Sequence, residues 1–187
     1  MSPVIDEVLR RKPDEGPLWV FGYGSLIWNP DMDYTADCAA TLPGYYRDFC
    51  LSSIVHRGTP EQPGVVLGVR QNSHSECFGH AFCLDPEQHH PSLERLLFRE
   101  LVSDCYLPLW LPLTLQTGQT VQALTMVVNE THERFIQLTE EEMLARIRVA
   151  KGPRGSNLDY LNNLVRHFQS CGIEDKALFR LYQRSND

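Results

Sequence analysis

Between Leu107 and Leu115 the chain reads LPLWLPLTL, with leucine at positions 107, 109, 111, 113 and 115. Side chains alternate faces along a strand but recur every three to four residues along a helix, so this spacing predicts a half-buried strand. Pro108 and Pro112 have no N–H to give a ladder, which assigns the segment to a sheet edge or a bulge. QTGQ then turns the chain into TVQALTMVV, the expected hairpin partner. Earlier in the chain LWVFGY, GYYRDFCLSS, GVVLGVR and CFGHAFCL read as short strands, with HRGTPEQPG a long turn between the second and third. DPEQHHP leads into a helix near Ser92. The C-terminal third changes character: Thr139 and Glu142 have the capping-box spacing that starts a helix through about Ala150. Asn157 is the expected cap of LDYLNNLVRHF, and a last helix is expected near Glu174. Strands first and helices after predict an α+β fold with a mixed or barrel-like sheet. With 187 residues, 42% of them hydrophobic, a single domain over 18–187 is expected behind a flexible leader at 1–17.

The formal net charge of −7 and the absence of a Lys/Arg-rich run argue against nucleic acid as a partner. The leader mixes both charges and has no apolar segment of the secretory kind, and the stretch around CYLPLWLPLTL is too short for a membrane span. The six cysteines form no C-x-x-C pair, so reduced thiols in a cytoplasmic setting are expected. The seven histidines include no H-x-x-x-H or H-E-x-x-H spacing, so a metal site is not expected.

Two features point to chemistry. In VFGYGSLIWNP, an apolar strand breaks at Gly22, Tyr23, Gly24 and Ser25 before resuming at Leu26. Alternate glycines permit positive φ and close approach of another backbone or a ligand, and successive N–H groups in such a turn can converge on an anion or a carbonyl oxygen. A plain tight turn after a strand would look the same. In SLERLLFREL, Leu93, Leu96, Leu97 and Leu101 define one helical arc, and Glu100 falls in its middle while Arg95 and Arg99 are expected opposite. A carboxylate there costs free energy unless paired or protonated. It is either a helix-end glutamate paired with an arginine, or a proton acceptor tuned by burial. Arg57, in HRGTP, is either a bidentate grip on a carboxylate or a solvated loop cation. Tyr160 is either a core phenol or a site residue. GPRGSN lacks the G-K-[ST] ending of a phosphate loop, and no G-x-S-x-G elbow supports a hydrolase triad.

Taken in order, VFGYGSLIW, HRGTPEQPG, FRE followed by CYLP, and GPRGSNLDYL resemble the signatures of the ChaC family, glutathione-specific γ-glutamylcyclotransferases, from about Trp19 to Leu161 and on toward the C-terminus. The resemblance implies a small barrel-like α+β γ-glutamylcyclotransferase fold, no cofactor, and a small-molecule substrate. The implied reaction cleaves glutathione to 5-oxoproline and cysteinylglycine. On this resemblance Val20, Phe21, Gly22, Tyr23, Gly24, Ser25 and Leu26 hold the γ-glutamyl group, Glu100 matches the catalytic glutamate, and Tyr160 matches a tyrosine near it. Arg57 lies in a shared motif, and its contact with substrate is inferred. LVSDCYLP departs from the family's glycine-containing connection after the glutamate, which leaves the shape of that loop open. The alternatives are a same-fold cyclotransferase for another γ-glutamyl amine and a non-catalytic regulator of cation transport. Oligomeric state is open.

Overall fold

The structure, a computed structural model, describes residues 3–101 and 103–186. The element order is α1 (Pro3–Arg10), β1 (Trp19–Gly22), a 3-10 turn (Ser25–Ile27), β2 (Tyr34–Ser53), β3 (Gly64–Leu84), α2 (His89–Glu100), β4 (Tyr106–Leu115), β5 (Thr120–Val128), α3 (Glu140–Val149), β6 (Lys151–Gly152), β7 (Gly155–Ser156), α4 (Asn157–Ser170) and α5 (Lys176–Asn186). Where the sequence suggests one domain over 18–187, the chain groups into two compact units. One is drawn from Met1–Arg47 and Val69–Asn129, the other from Asp48–Gly68 and Glu130–Asp187. β2 and β3 each carry the chain from one unit into the other.

The strands of the first unit close into a barrel in the order β1-β3-β2-β4-β5, with β3 also pairing β5. β1 is antiparallel to β3 and parallel to β5, so the barrel is mixed, in an α+β fold. The leucine ladder forms β4, paired antiparallel to β5 from Tyr106 to Thr114. Its β2 pairing lies at Thr114 and Leu115, beyond both prolines, so the strand closes the barrel instead of lying at an edge. Leu113 and Leu115 are buried, whereas Leu107 is exposed, so the alternation weakens toward Tyr106. One core cluster joins Val20, Leu26, Phe82, Leu84, Leu124 and Met126 to Leu93, Leu96 and Leu97 of α2. Ile5 and Val8 belong to it as well. The leader expected to be flexible therefore contributes a helix, α1, and the Trp110 Nε1–H donates to the Val8 carbonyl at 2.8 Å.

The other corrections have local causes. GVVLGVR and CFGHAFCL are one strand, because the polar QNSHSE between them stays extended. β2 likewise begins at Tyr34, well before GYYRDFCLSS. In the second unit α3 starts on the expected capping box, with both reciprocal Thr139–Glu142 bonds present. The cap of α4, however, is Ser156, whose hydroxyl accepts from the Asp159 N–H. α3, α4 and α5 pack on one another, and Leu144, Ile147, Leu164, Phe168 and Leu181 on them are buried. Among the described residues no disulfide joins the six cysteines.

Candidate active site

Val20 and Phe21 are fully buried in β1, and Gly22, its last residue, sits opposite His80 of β3. The strand ends tightly. A Cβ on Gly79 would lie 2.4 Å from the Gly22 oxygen and 2.6 Å from the Phe21 ring, so only hydrogen fits between β1 and β3 there. The Tyr23 hydroxyl donates to the Met126 carbonyl at 2.6 Å, fastening the turn to β5. Arg47 Nε donates to the Tyr23 carbonyl at 3.0 Å, and a second nitrogen of Arg47 bonds the Phe78 carbonyl. Because the peptide is planar and trans, pinning that carbonyl aims the Gly24 N–H the opposite way. The chain then enters the 3-10 turn, in which the Ile27 N–H donates to the Gly24 carbonyl at 3.0 Å and Leu26 is buried. The positive φ that alternate glycines permit is not used: Gly24 has φ −143°, where the strand passes into the 3-10 turn.

Glu100 closes α2, directly after the apolar arc. Its side chain is 15% exposed and Arg99's only 11%, with Arg99 Nε 3.0 Å from Glu100 Oε1. Arg99 also donates from Nη2 to Ser25 Oγ and from Nη1 to the Asn29 carbonyl, both at 2.6 Å. The sequence placed Arg99 on the outer side with Arg95. In the structure its long stem, in the last turn of the helix, carries the guanidinium across to the glycine turn. Arg95 does project outward, and its hydrogen bond to Asp33 holds that carboxyl below the usual range. Beyond Glu100, the departure noted in LVSDCYLP is accommodated by Asp104, which takes the left-handed conformation at φ 51°. That conformation costs an L-residue roughly 1–2 kcal/mol, and glycine's extra unfolded-state freedom returns about half. Asp104→Gly is therefore expected to raise the thermal midpoint by roughly 1–3 °C. A lower midpoint on scanning calorimetry would mean that the aspartate side chain contributes more than its backbone strain costs.

The second unit holds Arg57 and Tyr160. The Arg57 N–H donates to Ser53 Oγ at 3.0 Å, and its guanidinium lies 5.4 Å from the Tyr160 ring centroid. Burial pushes its pKa down, partly opposed by Tyr160 and Asp159. Among the described residues no carboxylate forms an ion pair with it. Tyr160 is buried, with Phe49 edge-on at 6.3 Å. HRGTP and GPRGSN meet backbone to backbone: the Arg154 N–H donates to the His56 carbonyl at 3.0 Å, and a Cβ on Gly152 would lie 2.5 Å from that same oxygen. From its position Asn157 is expected only to cap α4. It is fully buried, accepting from the Val65 N–H at 2.6 Å and donating to the Val65 carbonyl at 2.8 Å. GPRGSN thus works as a clamp on HRGTP. Of the expected site residues, Val20 to Leu26 and Glu100 come together in the first unit with Arg99, which sequence reasoning missed, and Arg57 and Tyr160 come together in the second. Among the described residues no group of three or more His, Cys, Asp or Glu could hold a metal ion, and no helix is long and apolar enough to cross a membrane.

A family model described as "ChaC-like protein" matches residues 18–187. A glutathione-specific γ-glutamylcyclotransferase of Escherichia coli (strain K12) is 39% identical over 171 residues, covering 91% of this chain and 73% of that protein. The Homo sapiens glutathione-specific γ-glutamylcyclotransferase 1 is 32% identical over 87% of this chain and 75% of its own length. Among solved structures, a γ-glutamyl cyclotransferase specific to glutathione from yeast superposes with a TM-score of 0.82 over 92% of this chain and 96% of that one, at 23% identity. That likeness establishes the fold.

Proposed function

Since this chain belongs to the ChaC-like protein family, we propose that it is a glutathione-specific γ-glutamylcyclotransferase, releasing 5-oxoproline and cysteinylglycine. Glu100 takes a proton from the substrate's α-ammonium, and the freed amine attacks the γ-carbonyl carbon. A new C–N bond closes the five-membered lactam as the attacking nitrogen gives up its second proton, the bond from the γ-carbonyl carbon to the cysteinyl nitrogen breaks, and Glu100 relays both protons to that nitrogen, which leaves as the ammonium of cysteinylglycine. Atoms and charge balance without water, an oxidant or a second substrate. The protein's main task is to hold the γ-glutamyl chain curled, an orientation effect worth on the order of several kcal/mol. N–H groups of the turn, including the Gly24 N–H aimed by Arg47, serve as carboxylate anchor or oxyanion donors. The observation that supports this reading best is the link Glu100–Arg99–Ser25, which ties a mostly buried carboxylate to a backbone-rich turn. Six cysteines with no disulfide among the described residues accord with a cytoplasmic setting. Incubation with glutathione, γ-glutamyl-alanine and γ-glutamyl-lysine tests the proposal. It expects 5-oxoproline from glutathione far above the other two; release chiefly from another substrate would reassign the specificity, and none from any would leave a binding protein.

Arg57 is assigned to the glycyl carboxylate of glutathione. A desolvated guanidinium stacked on Tyr160, with no ion-pair partner among the described residues, is a ready anion site. A charge-assisted hydrogen bond contributes about 1.5–3 kcal/mol, so Arg57→Ala is expected to raise KM for glutathione roughly ten- to hundredfold. A truncated γ-glutamyl amide, lacking that carboxylate, is expected to show little change. Equal effects on both substrates in steady-state kinetics would remove Arg57 from this role.

A further inference from the structure

We infer that Arg99 is a positioning residue for the reaction, fixing the Glu100 carboxylate against the glycine turn; this rests on the proposal that Glu100 moves the proton. Three guanidinium nitrogens meet three different partners: Nε with Glu100 Oε1 at 3.0 Å, Nη2 with Ser25 Oγ at 2.6 Å, and Nη1 with the Asn29 carbonyl at 2.6 Å. Those partners lie at the end of α2, within the 3-10 turn and just after it. A planar fork with fixed donor directions can satisfy all three at once, which an ammonium on a flexible stem cannot. Arginine also only donates. Ser25 must therefore accept from Arg99, and its own O–H is directed elsewhere as a donor. The carboxylate and this hydroxyl are thus oriented by one mostly buried cation. For stability alone such a buried pair gains little over apolar packing, since desolvation of both charges offsets their attraction. In proton transfer, by contrast, a misplacement of about 1 Å can cost on the order of a hundredfold.

The test compares wild type, Arg99→Gln, Arg99→Lys, Arg99→Ala and Glu100→Gln for 5-oxoproline release from glutathione, with thermal unfolding of each preparation. Arg99→Gln is expected to lower kcat roughly 30- to 100-fold per folded molecule with KM changed less than about threefold. Arg99→Lys is expected to recover part of that loss, and added methylguanidinium to restore part of kcat to Arg99→Ala without moving its thermal midpoint. Unchanged kcat per folded molecule in Arg99→Gln, a loss confined to KM, or a loss that neither lysine nor methylguanidinium relieves overturns the inference. Should Arg99→Gln fail to fold, the Arg99→Lys and Arg99→Ala arms decide alone. Glu100→Gln separates the two ideas. If it is inactive while Arg99→Gln is normal, only the inference falls; if it turns over normally, the role of Glu100 falls first and the positioning role with it.

Discussion

Glu100→Gln is expected to lower turnover of glutathione by about 10²- to 10⁴-fold, the usual contribution of general acid–base catalysis, equivalent to roughly 2.7–5.5 kcal/mol in the barrier. The amide keeps the size of the side chain and can still accept from Arg99 Nε, but it cannot carry a proton at neutral pH. Binding is expected to survive, because the proposed γ-glutamyl anchor is the turn from Gly22 to Leu26. Read from the apolar arc alone, a neutral amide at this position should be cheaper to bury than a carboxylate. The Arg99 partner reverses that sign: the substitution leaves a guanidinium of 11% exposure without its counter-charge, though still bonded to Ser25 and Asn29. A stability loss of about 1–2 kcal/mol is therefore expected, and activity has to be normalised to folded protein. Normal turnover per folded molecule would make Glu100 a structural partner of Arg99 and nothing more.

Gly79→Ala is expected to damage stability and substrate binding together. Its methyl would sit 2.4 Å from the Gly22 oxygen, well inside contact distance, and the obstructing atoms belong to backbone and to the buried Phe21 ring. Neither can rotate away, so β1 must separate from β3 at the point where the turn begins. Overpacking of this kind costs about 1–3 kcal/mol and occasionally more, a fall of roughly 3–12 °C in the thermal midpoint. Because the displaced Gly22 leads directly into Tyr23, Gly24 and Ser25, KM for glutathione is expected to rise as well. A wild-type midpoint with wild-type KM would show that the two strands have slack at this register.

How far the sequence could be read depended on whether the deciding interaction was local. The capping box at Thr139 and Glu142 and the β4–β5 hairpin were legible because their partners lie within a few residues or follow a strict period. Glu100 was legible because a carboxylate inside a leucine arc violates that period. Arg99 was not, since periodicity fixes where a Cβ points but not where a long stem in the last helical turn delivers its guanidinium. Asn157 was misread because an asparagine after a glycine-rich loop matches a cap, while its partner Val65 is 92 residues away. α1 was missed because one turn's worth of apolar residues, Ile5 and Val8, becomes a core contribution only when Trp110 and α2 are there to receive it. Asp104 shows the opposite case: the sequence marked a missing glycine, and only the backbone shows which residue adopts the left-handed conformation.

On the proposed mechanism the substrate's own amine, and not water, opens the γ-glutamyl bond. Turnover of glutathione in water enriched in oxygen-18, with products resolved by mass spectrometry, tests it directly. Intramolecular attack predicts equimolar 5-oxoproline and cysteinylglycine, with no heavy oxygen in the 5-oxoproline. Release of glutamate carrying heavy oxygen would identify a hydrolase and contradict the assignment.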